Sequence, residues 1–313
     1  MKRGRWAVMA LAAVVIAVAV ITGYQPEQDP MPSISSPKHS SRTQRTEGMD
    51  SMNLEELPTY DYRQQEIELY NQNQRIYGIA YIPETDNARV PLVICSHGLG
   101  GSYHSNLEYA EQFARHGIAA YCFDFRGGGG SRSEGSTTEM SVMTEVSDLE
   151  TVLEAAKEWE FVDHEKIVLF GTSQGGIVSA ITAARHTEDV EGLVLLYPAF
   201  LVHDAVHDRF QSLEEVPNQF SFMWITAGRP YVEDMWDYDV YGEIGNYRDR
   251  VLLLHGSRDG IVPIPYSEQA AAVYESAEYY VIEGAGHGFH GTAFEEAKDH
   301  IFRYLQEMDI LQP

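Results

Sequence analysis

Residues 169–176 read "LFGTSQGG", an apolar run that ends in a serine flanked by glycines. Ser173 lies between Gly171 and Gly175 in the pattern Gly-x-Ser-x-Gly, and a helix-like segment follows. Such a serine at a sharp strand–turn–helix is typical of a nucleophile, because glycine on either side avoids Cβ clashes in the tight bend. The stretch therefore predicts that Ser173 is exposed at the carboxyl edge of a sheet.

Two later segments offer the partners that a serine nucleophile needs, a base and a carboxylate that orients the base. The segment "HGSRDGIVP" at 255–263 follows an apolar run and contains Asp259. The segment "GAGHGF" at 284–289 follows another and contains His287. Because the order Ser, acid, His is the one expected for this turn, we predict a catalytic triad of Ser173, Asp259 and His287.

A glycine-rich loop indicates the site that stabilises the negative charge developing on the substrate during the reaction. "HGLGG" at 97–101 follows the apolar run Leu92–Ser96. A loop in this position supplies one backbone N–H, here that of Leu99, and the residue after the nucleophile, here Gln174, supplies the second. The helix that begins after Ser173 adds its positive N-terminal end. We expect Leu99 and Gln174 to form an oxyanion hole.

The rest of the chain alternates between apolar runs and helix-like segments. Continuous apolar runs are typical of strands buried on both faces, and their alternation with helices predicts an α/β fold with a mostly parallel sheet. Residues 64–83 predict an opening antiparallel pair. The further predicted strands are Leu92–Ser96, Ala119–Phe125, Ile167–Phe170, Leu193–Tyr197, Val251–His255 and Tyr279–Glu283. The predicted helices are Asn106–His116, Val142–Trp159, Gly176–His186, Ser267–Tyr274 and Thr292–Glu307.

Residues from about 198 to 250 depart from this alternation of strands and helices. They separate two predicted strands, whereas a crossover between parallel strands needs only about a dozen residues. An insertion this rich in aromatic residues predicts a lid that covers a binding site. The alternative is an insertion that packs its aromatic side chains internally. The aromatic residues are Phe200, Phe210, Phe220, Phe222, Trp224, Tyr231, Trp236, Tyr238, Tyr241 and Tyr247.

The N-terminus differs from everything after it. "MKRGR" is basic, and residues 6–22 are apolar or small, which is the pattern of an export signal. No good small-x-small cleavage site follows, so we expect residues 1–23 to be an uncleaved membrane anchor. The positive flank predicts that the domain after it lies outside the cytoplasm. A cleaved signal peptide is the alternative. Residues 24–52 are rich in Pro, Ser, Gln and charged residues, a composition that predicts a disordered linker. We expect residues 53–313 to form the folded domain.

Composition narrows the class of protein. The 313 residues, 44% of them hydrophobic, suffice for one large α/β domain. A formal net charge of −25 argues against nucleic acid and anionic membrane surfaces as partners. Cys95 and Cys122 lie in apolar runs and are expected to be buried thiols rather than a disulfide framework.

Two polar clusters have simple interpretations. The helix-like segment 142–159 carries Glu145, Asp148, Glu150 and Glu154, which we expect on a solvated face. "HDAVHD" at 203–208 places two histidines four residues apart. That spacing is half of a metal site, but no third ligand is evident, so we expect a solvated helix and no metal.

The motifs "SHGLGG", "FDFRGGGGSRSEG", "GTSQGG", "YPA", "HGSRDGIVP" and "GAGHGF" together resemble the bacterial α/β-hydrolases of the cinnamoyl (feruloyl) esterase-like group, which are also grouped with serine aminopeptidase-like hydrolases. The resemblance spans about residues 67–305. It implies an α/β-hydrolase fold, a serine nucleophile and an insertion that holds the aromatic ring of an acyl group. The candidates for contact with ring hydroxyl groups are Tyr231, Asp234 and Asp237.

These observations predict a serine hydrolase that cleaves small-molecule carboxylic esters, with aromatic cinnamoyl-type acyl groups suggested by the resemblance. Ser173 attacks, His287 is the base, and Asp259 orients His287, so no cofactor or metal is needed. Because the same triad cleaves amides, a peptidase or amidase is the alternative. A tethered binding module without catalysis is the alternative from another class.

Overall fold

The structure is a computed structural model that describes residues 42–45, 54–129 and 132–311. The predicted anchor or signal peptide, residues 1–23, lies outside the described residues. A four-residue strand, β1 (Arg42–Arg45), lies within the segment 24–52 that the sequence predicts as a linker, and the rest of that segment is not described. Within the described ranges, no helix combines the length and the apolar character of a membrane span.

A mostly parallel sheet lies at the centre of the described domain. Nine of the described strands form it in the spatial order β1-β11-β10-β7-β6-β4-β5-β3-β2, and β8 and β9 form a separate hairpin. The pairs β2–β3 and β3–β5 are antiparallel, as expected for an opening hairpin, and the other pairs of the large sheet are parallel. The strands after β1 are β2 (Tyr62–Asn71), β3 (Gln74–Pro83), β4 (Val90–Ser96), β5 (Ala119–Phe123), β6 (Val162–Thr172), β7 (Gly192–Leu196), β8 (Gln219–Phe222), β9 (Ile225–Gly228), β10 (Arg250–Gly256) and β11 (Ala277–Ile282).

The helices cover both faces of this sheet, which confirms the predicted fold class. Leu193 and Leu195 of β7 belong to one hydrophobic core, and the alternating Val194 and Leu196 belong to a second. Strands buried on both faces explain the continuous apolar runs. The helices are α1 (Leu107–Arg115), α2 (Val142–Ala156), α3 (Gln174–Arg185), α4 (Val202–Arg209), α5 (Arg229–Glu233), α6 (Val240–Ile244), α7 (Ile264–Val273) and α8 (Thr292–Glu307), with 3-10 turns at Leu54–Glu56, Tyr103–Asn106 and Leu213–Glu215.

Helix ends differ from the predicted ends by a few residues. Helix α7 begins at Ile264, three residues before its predicted start, with Pro265 in its first turn. Proline is tolerated there because the first N–H groups of a helix have no intrahelical acceptor. Helix α2 begins at Val142 as predicted, where the hydroxyl of Ser141 accepts a hydrogen bond from the backbone N–H of Thr144.

Residues 198–249, called the insertion below, join β7 to β10 and contain α4, the β8–β9 hairpin, α5 and α6. The aromatic residues of the insertion do not share one role. Phe200 and Tyr247 are fully buried in the core, and the Tyr247 hydroxyl donates to the Val190 carbonyl at 3.0 Å. Trp224 is 58% exposed at the tip of the hairpin. The insertion is therefore partly packed against the core and partly open.

The expectation of a solvated acidic face on α2 is wrong for two of its four residues. Glu145 and Asp148 are buried beside the valine and leucine side chains of α2. Asp148 accepts hydrogen bonds from the backbone N–H and the guanidinium of Arg126, at 2.8 and 2.5 Å, and from Asn71 at 2.9 Å. The periodicity of α2 alone does not show that a neighbouring loop supplies an arginine to pair with the buried carboxylate.

Asp148→Ala is expected to lower the free energy of unfolding by about 3–5 kcal/mol, because it leaves the buried Arg126 guanidinium without its counterion. Urea unfolding measures this change. Glu154→Ala on the same helix is the matched control, since Glu154 is 56% exposed and pairs with Lys157 at the surface; its loss costs less than about 1 kcal/mol. Equal effects of the two substitutions contradict a structural role for the Arg126–Asp148 pair.

Candidate active site

The turn between β6 and α3 is strained at Ser173, where φ is +52° and ψ is −119°. A Cβ on Gly171 would lie 2.2 Å from the Gly175 carbonyl oxygen, and a Cβ on Gly175 would lie 2.3 Å from the Ser96 carbonyl oxygen. Neither position admits a side chain without moving backbone. The two glycines thus allow the close approach that keeps the serine in a conformation that non-glycine residues rarely adopt.

The structure brings the three residues of the predicted triad together. The Ser173 hydroxyl lies 3.0 Å from His287 Nε2, and His287 Nδ1 lies 2.8 Å from Asp259 Oδ2. Asp259 follows β10 and His287 follows β11, at the same sheet edge as Ser173. With the Nδ1 proton donated to Asp259, Nε2 is free to accept the serine proton.

Asp259 is held as a carboxylate by several donors. Its Oδ1 accepts from the backbone N–H groups of Ile261 and Val262 at 2.8 and 2.9 Å, and His255 Nε2 lies 3.3 Å from its Oδ2. Burial by itself raises the pKa of Asp259, but the hydrogen bonds from His255, His287 and the backbone outweigh it and hold that pKa well below its usual range. Asp259 is therefore negatively charged at neutral pH.

Sequence reasoning missed two residues of this site, His255 and Tyr197. His255 is fully buried. The sequence feature that could have pointed to it is a polar residue at the end of the apolar run of β10. Tyr197 follows β7 with φ of +39°, and its ring lies 4.8 Å from that of His287 and 4.9 Å from that of Phe289. Tyr197 begins the "YPA" motif, but that motif does not show its contact with His287, because the contact depends on the order of strands in the sheet.

The loop at 97–101 is packed directly against Ser173. A Cβ on Gly98 would lie 3.0 Å from Cβ of Ser173. His97 Nδ1 lies 2.8 Å from the Gly98 carbonyl oxygen, and its Nε2 accepts from the Phe125 N–H at 3.2 Å. Burial lowers the pKa of His97, so the ring is neutral and can accept this hydrogen bond. The side chain of His97 thus fixes the loop that carries Leu99.

Leu99 and Gln174 line the same pocket as Ser173. Gln174 is the first residue of α3, so its N–H has no intrahelical acceptor. On the outer side of the loop, the Trp224 indole N–H donates to the Leu99 carbonyl oxygen at 2.9 Å. The predicted oxyanion-hole residues therefore flank Ser173, and the insertion forms a hydrogen bond to one of them, Leu99.

The pocket at Ser173 is narrow and apolar, with a volume of about 40 Å³. Residues from the insertion form most of its wall, and none of the described residues that line it is an aspartate, glutamate, lysine or arginine. Its rim includes the exposed side chains of Met223 and Trp224 at the hairpin tip. The lining residues are Leu99, Ser173, Gln174, Ala199, Leu201, Val202, Ala205, Phe222, Met223, Trp224, Tyr231, Ile261 and Val262.

The three residues considered for ring hydroxyl contacts are engaged elsewhere. The Tyr231 hydroxyl donates to the Gln174 side-chain oxygen at 2.6 Å. Asp234 accepts from the Ser141 hydroxyl at 2.5 Å. Asp237 lines a wider, separate cavity of about 620 Å³ on the other side of α4. None of the three presents a free polar group to the pocket at Ser173.

The histidine pair at 203–208 lines that same wider cavity. His203 Nδ1 lies 3.0 Å from Asp204 Oδ1, and His207 Nε2 donates to the Trp236 carbonyl oxygen at 2.7 Å. Both histidines therefore have protein partners.

One cluster in the described ranges has the spacing of metal ligands, namely Glu154, His186 and Asp189. The Lys157 ammonium lies 2.8 Å from Asp189 and 3.3 Å from Glu154. The lysine already supplies the positive charge that a metal ion would bring, so the cluster is a surface ion-pair network.

Comparison with known proteins agrees with the observed fold. Residues 88–228 match the family described as "Serine aminopeptidase, S33". An uncharacterized protein of Mycobacterium tuberculosis is 28% identical over 92% of this chain and 87% of its own length. A monoacylglycerol lipase of Mycolicibacterium smegmatis is 31% identical over 42% of this chain and 45% of its own. The solved structure of Est1E from Butyrivibrio proteoclasticus with ferulic acid bound has a TM-score of 0.70 at 22% identity, and the match covers 78% of this chain and 99% of that one.

The sheet topology and the similarity to Est1E show that the chain has the α/β-hydrolase fold, and the family match of residues 88–228 supports a hydrolase.

Gly175→Ala is expected to disrupt the turn, because its Cβ would lie 2.3 Å from one backbone oxygen and 2.6 Å from another. We expect a loss of unfolding free energy above about 2 kcal/mol, measured by thermal and urea unfolding. Gly260→Ala, where no atom lies within 4 Å of the added Cβ, is the matched control and should change stability little. A Gly175→Ala protein as stable as the control contradicts the steric account of the turn.

Proposed function

We propose that this protein hydrolyses carboxylic esters through an acyl-enzyme on Ser173. The observation that carries the proposal is the hydrogen-bonded chain from the Ser173 hydroxyl through His287 to the buried Asp259 carboxylate, with distances of 3.0 and 2.8 Å. These distances are within the range in which a base can take the proton of a nucleophile.

The reaction follows from this arrangement. The Ser173 oxygen adds to the ester carbonyl as His287 Nε2 takes its proton, and Asp259 stabilises the imidazolium that forms. Collapse of the tetrahedral intermediate breaks the bond to the alcohol, which leaves with the proton from His287. Water, deprotonated by the same nitrogen, then adds to the acyl-enzyme and releases the acid. The net reaction is ester plus water to acid plus alcohol, with no cofactor.

The backbone N–H groups of Leu99 and Gln174 are proposed to stabilise the tetrahedral oxyanion. Both residues lie beside Ser173 in the pocket, and the Gln174 N–H is at the positive end of α3. Backbone donors fixed before the reaction are effective because they need no reorganisation when the charge develops.

We further propose that the preferred acyl group is apolar, unbranched and short. The pocket is lined by apolar side chains, and the polar groups of Tyr231 and Asp234 are already hydrogen-bonded within the protein. A hydroxyl group on the acyl chain would therefore lose its hydrogen bonds to water without replacement. The pocket volume of about 40 Å³ is also far below the roughly 300–1,000 Å³ of pockets that hold drug-sized ligands, which favours a short acyl chain.

The insertion is proposed to act as the lid of this pocket. It contributes Leu201, Val202 and Phe222 to the wall and Trp224 to the rim. A larger acyl group, such as cinnamoyl, requires the β8–β9 hairpin to move outward, which breaks the hydrogen bond between Trp224 and Leu99.

A peptidase of the serine aminopeptidase type is the second candidate, because residues 88–228 match the family with that description. An aminopeptidase has to accommodate the ammonium group of its substrate, and a carboxylate is the usual partner for such a cation. Among the residues that the structure describes, no aspartate or glutamate lines the pocket at Ser173. This difference favours an ester substrate over an N-terminal aminoacyl group.

For the cellular setting we propose an extracytoplasmic enzyme held by residues 1–23, on the basis of the basic and apolar pattern of that segment. A secreted enzyme is the alternative.

Ser173→Ala is expected to lower kcat for 4-nitrophenyl butyrate by about 10⁴-fold or more, because no other group in the pocket can form the acyl-enzyme. Initial-rate kinetics measure the loss, and a fluorophosphonate probe followed by mass spectrometry should label the wild type at Ser173. Undiminished turnover in the variant excludes Ser173 as the nucleophile. Turnover of an aminoacyl anilide but of no ester makes the protein an amidase.

For acyl selectivity we expect kcat/KM to fall in the order butyrate, cinnamate, ferulate, each as its methyl ester. The narrow pocket disfavours the ring, and the apolar lining disfavours the ring hydroxyl. Phe222→Ala widens the pocket and should raise the ratio of cinnamate to butyrate turnover by about 10-fold. A wild type that prefers ferulate to cinnamate overturns the proposed acyl specificity but not the mechanism.

A further inference from the structure

A buried polar chain connects helix α2, the serine turn and the insertion. The Gln174 side-chain N–H donates to Glu145 Oε2 at 2.9 Å, and the Tyr231 hydroxyl donates to the Gln174 side-chain oxygen at 2.6 Å. Each of the three residues is only 1% exposed. The Glu145 carboxyl group and the Tyr231 hydroxyl therefore hold opposite ends of the Gln174 side-chain amide.

That amide belongs to the residue after the nucleophile. The backbone N–H of Gln174 is a proposed oxyanion donor, and the preceding residue, Ser173, has a strained φ of +52°. A backbone in a sparsely populated conformation persists only where its surroundings constrain it. Because both polar ends of the Gln174 side chain are engaged, rotation of this side chain would break two buried hydrogen bonds.

Glu145 is an unusual residue for this location. Burial raises its pKa well above the usual range, the hydrogen bond from Gln174 opposes this rise, and the nearby charge of Asp148 adds to it. Its other oxygen, Oε1, is buried and has no hydrogen-bonding partner among the described residues. Burial thus favours the neutral form of the Glu145 carboxyl group. The ester mechanism proposed above does not use it.

Tyr231 extends the chain to the acyl pocket. Its ring lines the pocket and lies 5.0 Å from that of Phe222, while its hydroxyl points to Gln174. A shift of the Gln174 side chain would therefore displace both the proposed oxyanion donor, the Gln174 backbone N–H, and the pocket wall that the insertion forms.

We propose that Glu145 is a positioning residue that keeps the Gln174 backbone N–H and the Tyr231 ring in the geometry needed for acyl transfer. This inference rests on the proposed function, because it assigns Glu145 a role in the same reaction. It acts through Gln174 and does not contact the substrate.

The decisive comparison is Glu145→Leu with Glu145→Gln in the full chain. Leucine keeps the volume but cannot accept the Gln174 hydrogen bond, whereas glutamine retains an accepting oxygen. We expect Glu145→Leu to lower kcat for 4-nitrophenyl butyrate about 10- to 100-fold with KM within about twofold. Glu145→Gln should restore kcat to within about threefold of the wild type.

Tyr231→Phe tests the other end of the chain. Because it removes only a hydroxyl, it keeps the proposal testable even if Glu145→Leu misfolds. We expect a drop in kcat of about 5- to 10-fold, and the loss in the double variant Glu145→Leu/Tyr231→Phe should be smaller than the product of the single losses. Glu154→Leu, an exposed position on the same helix, is the control and should leave kcat unchanged.

Thermal unfolding and kcat per folded molecule separate positioning from simple stabilisation. Wild-type kcat in folded Glu145→Leu, or equal loss in Glu145→Leu and Glu145→Gln, overturns the positioning role. So does an unchanged kcat in Tyr231→Phe. Ser173→Ala is assayed in parallel: if it retains full activity, the proposed function fails, whereas an inactive Ser173→Ala beside a fully active Glu145→Leu overturns only this inference.

Discussion

The close packing of backbone around Ser173 is the constraint on which the site depends. The Gly175 backbone lies against the Ser96 carbonyl at a distance that excludes a Cβ, and Ser96 is opposite Gly171 in the β4–β6 register. This approach exposes the serine and at the same time brings the loop after β4, with Leu99, beside it. One steric contact therefore positions both the proposed nucleophile and the proposed oxyanion hole.

The order of strands in the sheet determines which further residues reach the serine. β7 lies between β6 and β10, and β11 follows β10. Asp259 and His287 come from the loops after β10 and β11, so His287 has to extend back across the end of β7 to reach Ser173. Tyr197 at that end packs on the His287 ring. The carboxyl edge of a parallel sheet thus collects side chains that are far apart in the chain.

Helix α2 also buries two acidic side chains, Glu145 and Asp148. Asp148 is paired with Arg126, and Glu145 is hydrogen-bonded to Gln174. The two acids occupy the same helical face as the apolar residues of α2. Each is tolerated in the core because a segment distant in sequence supplies its partner, and an unpartnered polar group there would cost about 1–3 kcal/mol.

The sequence by itself determined the α/β fold, most strand and helix positions, and the set of Ser173, Asp259 and His287, because these depend on local periodicity and on turn chemistry next to each residue. Only the tertiary structure decided the role of His255, the burial of Glu145, and the size and apolar lining of the pocket under the insertion. Those properties arise from contacts between segments many residues apart, and hydrophobic periodicity gives no information on such pairings.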